Sequence, residues 1–351
     1  MEQKQIKNWI KYKRDFVLYR LPQKASVQAY LSLATTTLSS CEELKSLGGC
    51  FIFAPFEIGR HPIIAFKQYQ SFNFVPPILY SQSEDGKSAK FSSPISADYR
   101  KAFDSCLERL RDEEFGKLVL SRCQDGHCEA EALSLFYLLC QNCPNSMVYL
   151  YHSSESGMWM GATPELLVEG NQTQMHTVAL AGTMVQENGV PKMNEWSKKN
   201  LEEQKVVADY LRDSIRLVGS LKDEFGPYSA PAAHLAHLKT DIYFQANPKR
   251  LHEFLSMVHP TPAVCGLPKQ KALQFIHQIE RFDREYYTGF LGWLDASATS
   301  HLYVNLRCMK WLDDENVRLY GGGGLLSTSD IESEWRETEN KMQTLGKLCI
   351  P

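Results

Sequence analysis

The chain has 351 residues, a formal net charge of −3, 43% hydrophobic residues and 23% charged residues. This composition is typical of a soluble globular protein, and the near-balanced charge argues against nucleic acid or an anionic membrane surface as the main partner. No apolar run approaches the roughly 18 residues of a transmembrane helix, and the basic first twenty residues lack the apolar stretch of a signal peptide. We therefore expect a cytoplasmic protein.

In chain order, the patterns first predict an amphipathic docking helix around Ile6, Trp9 and Ile10, and then a polar loop at 82–98. Helices are predicted at 97–111, 129–140, 193–218, 248–258, 268–281 and 330–347. Strands are predicted at 49–56, 61–67, 117–122, 147–151, 158–160, 165–169, 175–183, 285–294, 301–311 and 317–320. Because these elements do not alternate as regular βαβ units, we expect an α+β fold with antiparallel strands.

The ten cysteines lack the density of a secreted disulfide scaffold. One group has the spacings C-x4-C and C-x2-C and would bind zinc if four of its members converged: Cys123, His127, Cys128, Cys140 and Cys143. Cys140 also belongs to an apolar stripe with helical spacing that begins at Leu133, where a thiol acts as a small hydrophobic group. The two interpretations are a zinc site and buried, reduced thiols.

The last predicted helix carries an unusual polar stripe. Its members recur at i, i+3, i+7 and i+10: Glu334, Glu337, Lys341 and Thr344. Ser329 and Glu332 have the spacing of a capping box, which predicts the start of this helix. The glycines at 321–324 would let backbone N–H groups approach an anion. The stripe is therefore either a solvated, salt-bridged face or part of a site for an anionic ligand and a hard cation such as Mg²⁺.

Other candidates lie on separate elements. Glu202 and Glu203 lie on the long helix at 193–218 and could add a carboxylate to the one from Glu337. Glu165 opens an apolar run, where burial raises the pKa of a carboxyl group as a general acid requires; otherwise it is a charge at a strand edge. Lys117 opens another apolar strand and is either a general base or a strand-end lysine that reaches solvent.

Together these segments resemble the chorismate-utilising enzymes, which include the isochorismate, salicylate, anthranilate and aminodeoxychorismate synthases. The motifs that carry the resemblance are GKLVLSR (116–122), GATPELL (161–167), ALAGT (179–183), HPTPAVCG (259–266), FDREYYTGFLGW (282–293), VNLR (304–307), the glycine run and SEWRETENKMQTL (333–345). The resemblance implies a single α+β domain, residues 1–351, with two antiparallel sheets packed together and helices outside. Residues 98–351 would form the core with the site, and residues 1–97 a more divergent N-terminal portion.

The resemblance also implies roles for individual residues. Lys117 would be the general base and Glu165 the general acid, and Glu203 and Glu337 would bind Mg²⁺. The residues that would bind the substrate chorismate are Gly182, Tyr287, Arg307, Gly322 and Lys341. Glu334, acting through water near the metal, and His259 would support the site.

Two positions favour one member of the family. Lys117 stands where the isochorismate and salicylate synthases have their base and the anthranilate synthases have none. Ala181 stands where aminodeoxychorismate synthases have a lysine nucleophile. We expect a Mg²⁺-dependent isochorismate synthase that feeds menaquinone or siderophore biosynthesis. Salicylate synthase, anthranilate synthase component I and a non-catalytic chorismate-binding relative are the alternatives.

Five positions depart from the family pattern. They are Ala179 for Pro, Asn200-Leu201 for Asp-Arg, Gln204 for His, and Cys265 for Gly. The change at Gln204 affects the surroundings of the metal, and the changes together are the support for the non-catalytic alternative. The residues outside the matching region are too few for a fused glutamine amidotransferase. We therefore expect a monomer that uses water and has no amidotransferase partner.

Overall fold

The computed structural model describes residues 2–79, 93–171, 174–186, 189–232, 235–247, 250–295 and 297–349. The α-helices are α1 (Glu2–Lys11), α2 (Ala97–Arg111), α3 (Ala132–Asn142), α4 (Lys198–Val218), α5 (Leu251–Val258), α6 (Lys269–Ile279) and α7 (Ile331–Cys349). The strands are β1 (Phe16–Arg20), β2 (Val27–Leu38), β3 (Cys50–Ala54), β4 (Ile63–Phe74), β5 (Lys117–His127), β6 (Met147–Ser153), β7 (Gly157–Thr163), β8 (Leu166–Asn171), β9 (Met175–Val185), β10 (Gly219–Ala232), β11 (Leu235–Ala246), β12 (Gly266–Leu267), β13 (Phe290–Leu294), β14 (Thr299–Val304), β15 (Cys308–Trp311) and β16 (Asn316–Leu325). Short 3₁₀ helices lie at Cys41–Ser46 and Met193–Glu195.

The strands follow one another in a single antiparallel, hydrogen-bonded order, β10-β11-β9-β8-β14-β13-β3-β4-β2-β1-β6-β7-β15-β16-β5-β12. Although β4, β2 and β1 separate β3 from β6 in this order, the ring of Phe53 on β3 lies 4.5 Å from that of Tyr151 on β6. The sheet therefore folds over so that its two halves face each other. The predicted α+β fold with two packed antiparallel sheets is confirmed, in the form of two halves of one continuous sheet.

Side chains that alternate between the two faces of each strand form three layers of hydrophobic core. Phe51 and Phe53 on β3 point into the aromatic layer between the halves, whereas Ile52 lies in a second cluster with residues of α4 and α5. In the other half, Tyr149 faces the aromatic layer and Leu150 lies in a cluster with residues of α1, α3 and α7. Because successive side chains of a strand point to opposite faces, sequences this apolar are buried on both sides.

The N-terminal residues complete the same sheet. Strand β1 pairs with β6 and β3 pairs with β13. Ile6 and Trp9 are buried where α1 docks on the outer cluster, as predicted for this helix. The single-domain organisation over residues 1–351 stays a prediction. Within the described residues, none of the helices combines the length and apolarity needed to cross a lipid bilayer.

Several element predictions need correction. Strands β1 and β2 and the long hairpin β10–β11 were not predicted. The predicted strand 285–294 forms only from Phe290 onward, and 301–311 is two strands, β14 and β15, separated by a turn. The first residues of the predicted helix 248–258 and most of the predicted loop 82–98 lie outside the described residues.

The cysteine group does not converge. Cys123 packs against the aromatic layer between the sheet halves, whereas Cys128 and Cys140 lie in the outer cluster beneath α3 and α7. These thiols lie on opposite faces of the sheet, and among the described residues no group of three or more His, Cys, Asp or Glu side chains could hold a metal ion, so the zinc alternative is wrong. Burial raises the pKa of Cys140 to about 12, as expected for a thiol that serves as a hydrophobic group.

Candidate active site

The glycine run at 321–324 is the centre of the site, and it lies in strand β16 rather than in a loop. A Cβ at Gly322 would lie 2.5 Å from Oγ of Ser121 and 3.0 Å from Oη of Tyr287. A Cβ at Gly323 would point to the opposite face of the strand and would lie 2.8 Å from Oε2 of Glu334. The glycines therefore let polar side chains approach the strand from both faces. The sequence pattern ended this strand at residue 320, whereas the structure continues it through the glycine run.

Helix α7 places its polar stripe against this strand. Lys341 donates from Nζ to the carbonyl oxygen of Gly322 at 2.7 Å and forms an ion pair with Glu337, 2.6 Å from Oε1. The predicted capping box is wrong: Asp330 caps the helix by accepting the N–H of Ser333 at 2.9 Å. The Ser329 hydroxyl instead donates to Oε1 of Glu334 at 2.7 Å.

The two glutamates of α7 differ in their surroundings. Burial, reinforced by the neighbouring Glu337 charge, raises the pKa of Glu334 to about 7 despite the hydrogen bond from Ser329. Oε2 of Glu334 is buried and has no hydrogen-bond partner among the described residues. Burial also opposes ionisation of Glu337, but Lys341 outweighs it and the pKa of Glu337 is lowered. Near neutral pH, Glu337 is therefore an anion, whereas Glu334 is only partly ionised.

Strand β5 and helix α4 meet through a second ion pair. Nζ of Lys117 lies 2.8 Å from Oε1 of Glu203, and both side chains are largely buried. Gln204, one of the departures from the family pattern, donates from Nε2 to Oγ1 of Thr240 on β11 at 2.6 Å. This buried hydrogen bond fixes α4 beside the sheet and turns Glu203 towards Lys117.

Glu165 lies just before β8. Burial of its carboxyl group raises its pKa, while Lys117, Lys341 and Arg307 act in the opposite direction. These three cations, carried by β5, α7 and the turn between β14 and β15, are therefore within electrostatic reach of one carboxyl group. The structure thus brings the predicted acid, the predicted base and two predicted substrate-binding cations into one region.

Arg307 and Tyr287 lie on the two turns next to this region. Arg307 adopts a left-handed backbone conformation, with φ of +47°, and donates to Oγ1 of Thr344 at 3.3 Å. Burial lowers its pKa, which the charges of Glu337 and Glu165 partly offset. Burial raises the pKa of Tyr287, so this phenol stays protonated.

Gly182 forms a β-bulge on β9, because the pairing with β11 shifts between His237 and Leu238. Its φ of +73° suits glycine, and a Cβ there would lie 3.1 Å from the carbonyl oxygen of Asn200 at the start of α4. Asn200 therefore packs directly against this bulge.

His237 is a residue of this site that the sequence analysis missed. Its Nδ1 donates to the carbonyl oxygen of Gly182 at 3.2 Å. Burial lowers its pKa, and its electrostatic neighbours include Lys341, Glu337 and Lys117. The signal that could have found it is the alternating segment LAHLKTDIYF at 235–244, which was not recognised as a strand.

The structure does not bring His259 into this group. Its Nε2 donates to the carbonyl oxygen of Pro55 at 2.8 Å, and its ring packs edge-on against Phe290. Burial lowers its pKa to about 4, so the ring is neutral. These contacts join the end of α5 to β3 and β13 and favour a structural role.

A cation would find oxygen ligands here. Among the described residues, no group of three or more His, Cys, Asp or Glu side chains is arranged to hold a metal ion. Mg²⁺, however, is commonly bound through one or two carboxylates together with water and substrate oxygens. Glu203 and the ionised Glu337 supply such carboxylates, and the buried, unpartnered Oε2 of Glu334 is a further acceptor. The donor set therefore fits Mg²⁺.

The folded-over antiparallel sheet brings three cations and several carboxyl groups into one largely buried region, which suits a small anionic molecule. Residues 68–349 match the family described as "Chorismate binding enzyme", and the chain belongs to that family.

Three relatives illustrate the likeness. The isochorismate synthase EntC of Escherichia coli K12 is 32% identical over 240 residues, which span 65% of this chain and 61% of that enzyme, less than two thirds of its length. The vibriobactin-specific isochorismate synthase of Vibrio cholerae is 30% identical over 265 residues, 72% of this chain and 67% of that enzyme. The structure of the menaquinone-specific isochorismate synthase MenF of Escherichia coli shares the fold, with a TM-score of 0.75, 20% identity and coverage of 95% of this chain and 88% of that one.

Proposed function

We propose that the protein is a Mg²⁺-dependent isochorismate synthase. The observation that carries this proposal is that Lys117 and Glu165 lie within electrostatic reach of each other, with the pKa of Glu165 raised by burial. A base and an acid in one site are what the isomerisation of chorismate to isochorismate requires. Relatives named isochorismate synthases, at 30–32% identity, support chorismate as the substrate.

In the proposed reaction, water adds at ring C2 and the C4 hydroxyl leaves as water, so the net change is an isomerisation. Nζ of Lys117 accepts a proton from the attacking water. Glu165 donates a proton to the departing hydroxyl, and its raised pKa keeps that proton available. Groups in these roles commonly contribute about 10²–10⁴ in rate each.

The remaining residues would bind and orient the substrate. Arg307 and Lys341 are suited to its carboxylates, because a guanidinium and an ammonium form charge-assisted hydrogen bonds with them. Tyr287 and the backbone of Gly322 would complete this substrate-binding surface. Glu203 and Glu337 would hold Mg²⁺, which when bound would supply positive charge to the ring carboxylate.

The test is to incubate the protein with chorismate and Mg²⁺ without ammonia and to separate the products by chromatography. We expect isochorismate, and we expect Lys117→Ala and Glu165→Gln each to lower kcat by about 10²–10⁴. Lys205→Ala, an exposed lysine on α4, is the control and should leave kcat unchanged.

Other products would decide between the alternatives. Salicylate and pyruvate would favour a salicylate synthase, and anthranilate formed with ammonia would reject both assignments. Chorismate binding in a calorimeter without turnover would establish a non-catalytic relative. Full turnover by Lys117→Ala would remove the base from the mechanism.

The domain organisation, oligomeric state, compartment and pathway belong to the same proposal. A single domain is supported by the pairing of β1 with β6 and of β3 with β13. We propose a cytoplasmic monomer that acts without a glutamine amidotransferase, in a pathway to menaquinone or a siderophore. Sedimentation of the purified protein would test the monomer.

A further inference from the structure

A fully buried ion pair lies behind the site. Glu280 follows the last residue of α6, and Arg284 lies four residues further along the chain. Their side chains are 3% and 2% exposed, and Nη2 of Arg284 lies 2.6 Å from Oε1 of Glu280. Nε of Arg284 donates to the other carboxylate oxygen at 2.8 Å. The pair is closer to complete burial than either the Lys117–Glu203 or the Lys341–Glu337 pair.

Beyond the end of its neighbouring strand β12, β5 makes backbone hydrogen bonds to the Glu280–Arg284 pair. Strand β12 pairs only with Lys117 and Leu118. Beyond it, the N–H of Ser121 donates to Glu280 at 2.8 Å, and the carbonyl oxygen of Val119 accepts from Arg284 at 2.9 Å. The edge of β5 at Val119 and Ser121, just beyond the part that carries Lys117 and pairs with β12, is thus held by two side chains instead of a strand.

Arg284 also holds the segments on either side of it. Its Nη1 donates to the carbonyl oxygen of Val264 at 2.8 Å and lies 3.4 Å from Oγ1 of Thr288. With the bonds to Glu280 and Val119, all five N–H groups of the guanidinium have acceptors. One side chain therefore ties β5, the segment before β12 and the turn at 283–289 together.

The turn that Arg284 holds is strained and carries Tyr287. Thr288 has φ of +62°, which is rare for a β-branched residue. Such a conformation persists only where its surroundings over-determine it. Here the N–H of Thr288 donates to Asn305 at 2.8 Å, and the N–H of Tyr287 donates to the carbonyl oxygen of Arg284 at 2.8 Å. The strained turn brings Oη of Tyr287 beside Gly322 and Ser121.

We propose that Glu280 and Arg284 are positioning residues of the active site, which set the placement of Lys117 and Ser121 on β5 relative to Tyr287 on the turn. The inference rests on the proposed function, because that function assigns Lys117 and Tyr287 to one substrate. Neither residue touches the substrate. Their effect is on the distance between the groups that do, and a misplacement of about 1 Å can lower a rate about 10²-fold.

The experiment must separate positioning from stability. Removing one partner of a buried ion pair leaves a buried charge, whereas replacing both by apolar residues is often tolerated. The first variant is therefore Glu280→Leu/Arg284→Met. The second is Arg284→Lys, which keeps the charge but cannot reach the Val119 and Val264 carbonyl oxygens and Glu280 together. Each is assayed with chorismate and Mg²⁺ at a temperature well below its own Tm.

The same strand provides a matched control. Arg318 on β16 forms a bidentate, partly exposed ion pair with Asp125 on β5, at 2.6 and 2.8 Å, at the other end of the ladder. Asp125→Leu/Arg318→Met makes the same chemical change away from the site and should leave kcat within about threefold of the unaltered protein.

We expect kcat to fall about 10²-fold in the double variant and at least tenfold in Arg284→Lys, with KM changing less than kcat. If either variant folds and keeps kcat within threefold, or if the control loses as much, the proposal is overturned and the pair serves stability alone. If the unaltered protein forms no product, the proposed function has failed. Calorimetric titration with chorismate then tests the pair: weaker binding by Arg284→Lys than by the control supports positioning, and equal binding overturns it.

Discussion

The raised pKa of Glu334 leads to a prediction about stability. Burial of its carboxyl group raises the pKa from 4.5 to about 7. A carboxyl group whose pKa is higher in the folded protein favours folding when protonated and opposes it when ionised. The penalty is absent below pH 4.5, grows between pH 4.5 and 7, and is complete above pH 7.

The magnitude follows from the shift. A difference of about 2.5 pH units corresponds to about 3 kcal/mol at about 1.36 kcal/mol per unit. Replacing Glu334 by Gln keeps the shape and an acceptor for the Ser329 hydroxyl but cannot ionise. The free energy of unfolding of Glu334→Gln relative to the unaltered protein should therefore rise by up to about 3 kcal/mol between pH 4.5 and pH 8. For a chain of this length the rise is about 4 °C in Tm.

The assay is thermal unfolding at pH 4.5 to 8.5 in the presence of EDTA, with the Tm of each variant compared at the same pH. Glu332→Gln, an exposed glutamate one position before Ser333 on the same helix, is the control for the loss of a charge. Its Tm at each pH gives the effect of losing an exposed charge from this helix. A Tm difference for Glu334→Gln that is flat or falls as pH rises would refute the reasoning that this carboxyl group is buried without compensation.

Two further substitutions test the packing of the site. Gly322→Ala places a Cβ 2.5 Å from Oγ of Ser121 and should lower the free energy of unfolding by about 1–3 kcal/mol and kcat by at least tenfold. The control is Gly48→Ala, whose Cβ would have nothing within 4 Å and should change neither quantity. Thermal unfolding measures the stability of both variants, and product chromatography measures their turnover. Gln204→Leu removes the hydrogen bond to Oγ1 of Thr240 and should lower the free energy of unfolding by about 1–3 kcal/mol in denaturant titrations, and an unchanged value would show that the bond does not anchor α4.

The helices were predictable because their apolar residues recur at helical spacing and tertiary packing follows that pattern. Helix α2 begins and ends at the predicted residues, 97 and 111, and α7 begins one residue after its predicted start. The side chains of α7 that the pattern assigns to the core, such as Trp335 and Met342, are buried.

The strands that were missed carry signals that normally mark loops. Strand β10 contains Pro227 and Pro231, which have no N–H, and proline within a strand is largely confined to edge strands and bulges. Because β10 lies at the end of the sheet order, that condition is met by tertiary structure rather than by local sequence. Missing this hairpin also concealed His237, since β11 is the strand that carries it into the site.

The residues of the site were predicted in two different ways. The spacing in α7 alone placed Glu334, Glu337 and Lys341 on one face, and the structure confirms that face against the glycine strand. Arg307 and Tyr287 came only from the resemblance to the family. Both lie on turns whose backbone conformation depends on contacts from distant segments, which local patterns do not encode.

The charges of the site also bear on whether the departures from the family pattern abolish activity. Three cations, Lys117, Arg307 and Lys341, lie with the carboxyl groups of Glu165, Glu203 and Glu337. Against the carboxylates of Glu203 and Glu337, these three cations leave one positive charge, less than the two carboxylates of chorismate carry. A divalent cation on the glutamates would make up the difference, in keeping with the proposed Mg²⁺ requirement.

The departures from the family pattern do not alter this charge balance. The family's Asp-Arg pair and the Asn200-Leu201 pair found here carry the same net charge. Gln204 is uncharged, as a neutral histidine would be, and its buried hydrogen bond to Thr240 keeps α4 on the sheet. The departures therefore change hydrogen bonds around α4 without changing the charge that meets the substrate. The ion pair of Glu203 with Lys117 shows that α4 turns the carboxylate proposed to bind Mg²⁺ towards Lys117. Catalysis is for this reason favoured over a relative that only binds.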